Sequence, residues 1–136
     1  YNGAEFEGTN FESAGIRIAR RMDLSAQGDC IHEQPDGYSG FIPGIIEHGI
    51  YSTATFSPLG QAAAGHYSLG ALYRLWVPDM CYEFETRIGE SQFENYEFGT
   101  IEEFAATDRI ALFRRLENIM RGFSLDATGE PIRFAE

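Results

Sequence analysis

The chain has 136 residues, the size of one domain, and its 43% hydrophobic, 14% aromatic and 23% charged residues make a globular balance, too apolar for a disordered chain. Its formal charge is −11, from 21 acids against 10 bases, which argues against nucleic-acid binding and against docking on an anionic membrane, since both need a basic surface. All ten bases are Arg, so a Walker phosphate loop and a Schiff-base lysine are excluded, and no apolar run is long enough to span a bilayer.

The first residues, Tyr1-Asn2-Gly3, lack an initiator Met, so a processed or trimmed chain is expected. Residues 16–21, Ile-Arg-Ile-Ala-Arg-Arg, begin with an apolar/polar alternation that predicts a half-buried strand. From residue 22 to 49 the pattern breaks at Gly28, Pro35-Asp36-Gly37, Gly40, Pro43-Gly44 and Gly49. Irregular stretches of that length in compact domains are usually functional loops. Residues 50–56 are rich in Tyr, Thr and Phe and predict a strand, ended by Pro58-Leu59-Gly60. Residues 61–64 suit one helical turn.

Residues 69–88 carry the clearest β signal. Two apolar-rich runs flank Pro78-Asp79, a pair suited to a tight turn. With those two residues at the tip, Val77 faces Met80, Trp76 faces Cys81, Leu75 faces Tyr82, Arg74 faces Glu83 and Tyr73 faces Phe84. That register gathers Tyr73, Leu75, Tyr82 and Phe84 on one face as an apolar set. Leu72, Arg74, Trp76, Cys81, Glu83 and Glu85 fall on the other. A slip of one residue would reverse both faces. The mixed face is expected to be solvent-exposed or the wall of a polar pocket.

Residues 89–99 read as a linker with three acids and three aromatics. Thr100-Ile101-Glu102-Glu103 matches a capping box. A helix is expected after it, with a second cap available at Thr107-Asp108. Leu112, Leu116, Ile119, Met120 and Phe123 form a core-facing stripe. Glu117 and Arg121 stand four apart in the favourable order. Gly122 suits a left-handed terminator, and residues 132–134 a short edge segment. Arg109, Arg114 and Arg115 read as the solvated back of the helix, and Phe93, Tyr96, Phe98 and Phe104 as packing residues. The fold class expected is α+β: one domain over residues 1–136, an antiparallel sheet with a long C-terminal amphipathic helix packed on one face.

The chemistry-bearing residues are few. Cys30 and His32 stand two apart, but a Cys–His nucleophile needs reach and an orienting third group, and no nucleophile motif surrounds them. Cys30 and Cys81 form a possible disulfide; two small buried thiols are the alternative. His32, His48, His66 and Cys30 lack close metal-ligand spacing, so no metal site and no cofactor is expected. Glu83 and Glu85 share a strand face and could split their pKa values for acid–base work. With Arg74 and Trp76 they also make a ligand-anchoring set. An exposed face with a cross-strand salt bridge, worth under about 1 kcal/mol, is the plainer reading. No catalytic residue is assigned.

Cys81-Tyr82-Glu83-Phe84, the run from Asn95 to Phe104, and Leu116-Glu117-Asn118-Ile119 leading to Gly122-Phe123 resemble the C-terminal half of PsbP-like small exported bacterial proteins. Gly122 stands where that family carries Ser, and a tail follows it. The resemblance implies an antiparallel sheet flanked by helices, used as an accessory or binding domain, and an exported or periplasmic location. The expected function is therefore non-catalytic binding of a protein partner or small ligand, through the acidic surface and the Arg74/Trp76/Glu83/Glu85 face. A small pocket enzyme using Glu or His, and an oligomeric structural module such as a homodimer, are the alternatives. Excess negative charge would speed encounter with a basic partner.

Overall fold

The computed structural model describes residues 3–35, 38–39, 44–46, 49–56, 64–77 and 80–122, and it is α+β, an antiparallel sheet with helices. The strands are β1 (Phe11–Arg20), β2 (Tyr38–Ser39), β3 (Gly44–Ile46), β4 (Gly49–Phe56), β5 (His66–Val77) and β6 (Met80–Ser91). They lie in the order β1-β6-β5-β4-β2, with β3 also paired to β4. Helix α1 spans Gln27–His32 and α2 spans Ala106–Arg121.

The β5–β6 ladder has the register the alternation requires. Val77 pairs with Met80, Trp76 with Cys81, Arg74 with Glu83 and Tyr73 with Phe84. The turn residues Pro78 and Asp79 lie outside the described residues. Both strands run further than the apolar pattern suggests, so Gly89 to Ser91, expected as linker, belong to β6. β1 also starts five residues before Ile16. It carries an irregularity at Glu12, where Phe11 pairs with Glu90 but Ser13 with Gly89. An extra residue of this kind lets both neighbours keep their faces.

Side chains alternate across the ladder and sort the core. Ala14, Ile88, Phe104, Leu112 and Leu116 form one buried cluster, and Leu75, Phe84 and Met120 another. The helical stripe is thus right at Leu112, Leu116 and Met120, while Ile119 is exposed and Phe123 lies outside the described residues. Glu117 accepts a hydrogen bond from the Tyr73 hydroxyl at 2.6 Å. Arg115 pairs with Glu5 across the surface.

The helix boundaries differ from the sequence reading. α2 begins with Ala105 at its cap and no capping side-chain bond. The Thr100 hydroxyl donates to the Glu97 carbonyl at 2.7 Å, and the Glu102 amide donates to the Gly8 carbonyl, so the residues after Thr100 do not enter a helix. Gly122 ends the helix in the right-handed region, at φ −79° and ψ −4°. α1 falls inside the stretch expected to be irregular. Its six residues are too few for a periodic signal to register.

Asn10 stitches β6 to the segment before α2, and Glu90 stitches it to α2 itself. The Asn10 side chain donates to the Ser91 carbonyl at 2.7 Å and accepts from the Phe104 amide at 2.6 Å. Glu90, fully buried, accepts two bonds from Arg109, at 2.5 and 2.7 Å, and one from the Tyr67 hydroxyl at 2.8 Å. Arg109 is therefore not on the solvated back of the helix. Its bond to Glu90 raises its pKa further, and the guanidinium lies 5.5 Å from the centre of the Phe104 ring.

Burial first, and then the bond to Glu90, push the Tyr67 phenol from 10.0 up to about 12. The folded chain then holds this proton more tightly than the unfolded one. The stability it contributes is complete below pH 10 and is lost as pH rises toward about 12. Urea unfolding on both sides of pH 10 should show a steeper alkaline loss in the parent than in Tyr67→Phe. Equal slopes would mean that the phenol is hydrated in the fold.

Candidate functional site

The mixed face of the β5–β6 hairpin is mostly closed to solvent, and Glu85 at its edge lines a groove. Arg74 is 0% exposed, Glu83 2% and Glu85 7%, with Trp76 partly buried. Over Arg74 and Trp76 lie α1 and the turn before it, and over Glu83 and Glu85 the side chains of Arg17, Arg21 and Arg87. Cys30 is joined to Cys81 by a disulfide. Leu24, Cys30, Ile31 and Cys81 make a buried cluster against which Trp76 packs. The Arg21 amide donates to the Cys81 carbonyl at 2.9 Å, which seats the turn on β6.

A buried charge must be paired and hydrogen-bonded to be tolerated. Arg74 meets this condition. Its Nε donates to Glu83 Oε2 at 3.0 Å. Its Nη1 donates to the carbonyl of Glu33 at 2.5 Å and to that of Cys30 at 3.4 Å. One guanidinium thereby satisfies both a strand carboxylate and carbonyls at the C-terminal end of α1. The cross-strand pair expected at the surface is instead the interior joint between helix and sheet.

Glu83 is shared further. Its Oε1 accepts from Arg17 Nη2 at 2.8 Å, and its Oε2 also accepts from Arg21 Nη1 at 2.6 Å. Glu85 accepts from Arg17 Nε at 2.8 Å and from Arg87 Nη2 at 2.6 Å. Arg21 closes the network with two bonds to Asp23, at 2.9 and 2.6 Å. Those bonds, the largest influence on both partners, lower the Asp23 carboxyl to about 2 and raise Arg21. The bond to Glu85 raises Arg17 in the same way. The structure thus brings Arg74, Trp76, Glu83 and Glu85 together, and adds Arg17, Arg21 and Arg87. Arg17 sits opposite Glu85 in the β1–β6 ladder. The signal for it was legible, because the Ile16/Ile18 alternation puts Arg17 on the polar side of its strand. Its partner strand was not legible.

The accessible part of this face is its rim. A groove of about 560 Å³ runs along residues 13–17 of β1, with Glu85 and Arg87 of β6. Gly89 lies beside it, and a Cβ there would come within 2.9 Å of Ser13 Oγ, so glycine permits the close approach of β1. A second groove of about 500 Å³ is lined by residues 7–9 and 99–102.

The remaining candidates are placed as follows. Cys30 has no thiol to offer a nucleophilic pair with His32, whose side chain is exposed. His66 is exposed and bonded through Nδ1 to Glu12. His48 lies outside the described residues. Among the described residues no three of His, Cys, Asp and Glu gather as metal ligands, and no helix is long and apolar enough to cross a membrane. Phe104 is buried, but Phe98 is fully exposed. Comparisons of the chain with protein-family models, curated proteins and solved structures returned no match.

Proposed function

We infer that this chain is a non-catalytic binding or accessory domain that recognises a protein partner or small ligand at the rim of its mixed face. The observation that carries this reading is the saturation of Glu83 and Glu85 by guanidiniums. Glu83 accepts from Arg17, Arg21 and Arg74, and Glu85 from Arg17 and Arg87. Carboxylates engaged in this way hold other side chains in position and leave little room for proton transfer to a substrate. In this reading α2 is the long C-terminal amphipathic helix covering the Leu75 and Phe84 face, and recognition is left to the opposite side. The likeness of residues 73–123 to PsbP-like proteins supports the same accessory role, and the disulfide supports an oxidising, exported setting. The excess of carboxylates favours basic partners in the encounter.

Ligand-observed proton NMR tests the reading, with one pool of small organic acids and amines and one of Arg- and Lys-rich peptides. The expected result is a component whose signals broaden on adding the protein and which is recovered unchanged. Conversion of a component, at a rate abolished in Glu85→Gln, would establish the acid–base enzyme instead. No broadening in either pool would remove the binding reading.

A further inference from the structure

We propose that the groove between residues 7–9 and 99–102, with the Phe98 ring beside it in the chain, docks an extended arginine-rich segment of a partner protein. The proposal goes beyond the reading above, because this groove, of about 500 Å³, shares no lining residue with the rim of the mixed face. Its walls are set by hydrogen-bonded turns. On one side the Thr100 amide and hydroxyl both donate to the Glu97 carbonyl, at 3.1 and 2.7 Å. Gly99, at φ 81°, supplies the left-handed step of such a turn, and Phe98 before it is fully exposed. On the other side the Thr9 amide and hydroxyl donate to the Phe6 carbonyl, at 3.1 and 2.8 Å. The Glu102 amide joins the two walls by donating to the Gly8 carbonyl at 2.8 Å. The Phe6 ring in turn meets the buried Phe104 ring, with 4.8 Å between centres. A surface fixed in this way loses little freedom on binding.

Chemistry selects the occupant. Phe98 and Tyr96 are both exposed, and aromatic rings are favoured anchors of interfaces. Glu7 and Glu102 line the groove, and Glu97 opens the turn that carries Phe98. None of these three carboxylates has an ion pair among the described residues. Arg109 and Arg115 of α2 are held by Glu90 and Glu5, and Glu103 adds a further negative charge that acts on Arg109. An anionic segment would be repelled here, and a neutral apolar one would strip water from the carboxylates with nothing in return. A second copy of the chain, at −11, brings the same sign of charge. A guanidinium meets both demands, since its face stacks on an aromatic ring while its N–H groups bond a carboxylate.

Amide NMR of the folded chain, titrated with a capped peptide of alternating Arg and Ala, tests the proposal. Signals of Gly8, Thr9, Phe98, Gly99 and Glu102 should shift and saturate. Phe98→Ala should weaken binding about fivefold, the value of one cation–π contact at an exposed site. Glu102→Gln should weaken it about threefold, as for one exposed ion pair. Asp29→Asn, which removes an exposed acid of α1, should leave it unchanged, and a peptide with Lys in place of Arg should bind less tightly. The replaced side chains are all exposed, and retained dispersion of the amide spectrum shows that each variant is folded. Shifts that never saturate, an affinity indifferent to Phe98→Ala, or equal weakening by Asp29→Asn and Glu102→Gln would overturn the site. Shifts confined to Arg17, Glu85 and Arg87 would overturn it too, while leaving the earlier binding reading standing. A molar mass that doubles, and returns to that of the monomer in Phe98→Ala, would put a second copy in the groove instead.

Discussion

Glu83→Gln should destabilise the fold by about 3–5 kcal/mol, the typical cost of removing one partner from a buried ion pair. The reason is asymmetric. Arg17 and Arg21 reach water and can turn outward when the carboxylate goes. Arg74 is 0% exposed and cannot. It would lose the carboxylate charge opposite its Nε and be left with neutral acceptors, the carbonyls of Cys30 and Glu33 among them, for a full charge. Arg17→Gln, at the exposed end of the same network, should cost under about 1 kcal/mol. Replacing both buried partners together, Arg74→Met with Glu83→Leu, should recover most of the loss, because no charge is then stranded. Urea unfolding of the parent and the three variants measures these differences. A Glu83→Gln penalty below about 1 kcal/mol would mean that water reaches Arg74 and that α1 does not seal this face.

Replacing the disulfide by Cys30→Ser with Cys81→Ser should lower stability by a comparable amount. The bridge spans 51 positions, and the loop-closure relation gives about 4 kcal/mol for a loop of that size. The removed constraint acts mainly on the unfolded chain, so the urea midpoint should fall while the native spectrum changes little. The two effects will not add. The disulfide and the Arg74 guanidinium both hold α1 to the sheet, one through the Cys30 side chain and the other through the carbonyls of Cys30 and Glu33. Groups sharing a partner element couple. A loss under about 1 kcal/mol on removing the bridge would show that α1 is held by its other contacts alone. Thiol titration of the denatured, unreduced chain should find no reactive thiol at either position.

The parts of this fold legible in the sequence are those that depend on near neighbours. Alternation from Tyr73 to Phe84 around Pro78-Asp79 was enough to specify the pairing of Arg74 with Glu83 and of Trp76 with Cys81. The periodic stripe was enough to place Leu112, Leu116 and Met120 in the core. Local signals failed where a tertiary partner outbid them. The Thr100 box yields no cap because the residues after it are tied to the Gly8–Thr9 segment, where the Glu102 amide donates to the Gly8 carbonyl, and no helix starts there. Gly89 to Ser91 read as linker but are strand, since residues 66–68 of β5 and Phe11 and Ser13 of β1 pair along them from distant parts of the chain.

The candidate site divides along the same line. That Arg74, Trp76, Glu83 and Glu85 share one side of the sheet follows from the two-residue period of a strand and a tight turn. Both are properties of a dozen consecutive residues. Whether that side meets water does not follow. It is decided by a six-residue helix more than forty positions upstream, too short to announce itself, bonded to β6 through Cys30 and capped by the very guanidinium it buries. Pairing is local and so is written in the order of the residues, whereas burial is a sum over everything the chain folds back against it.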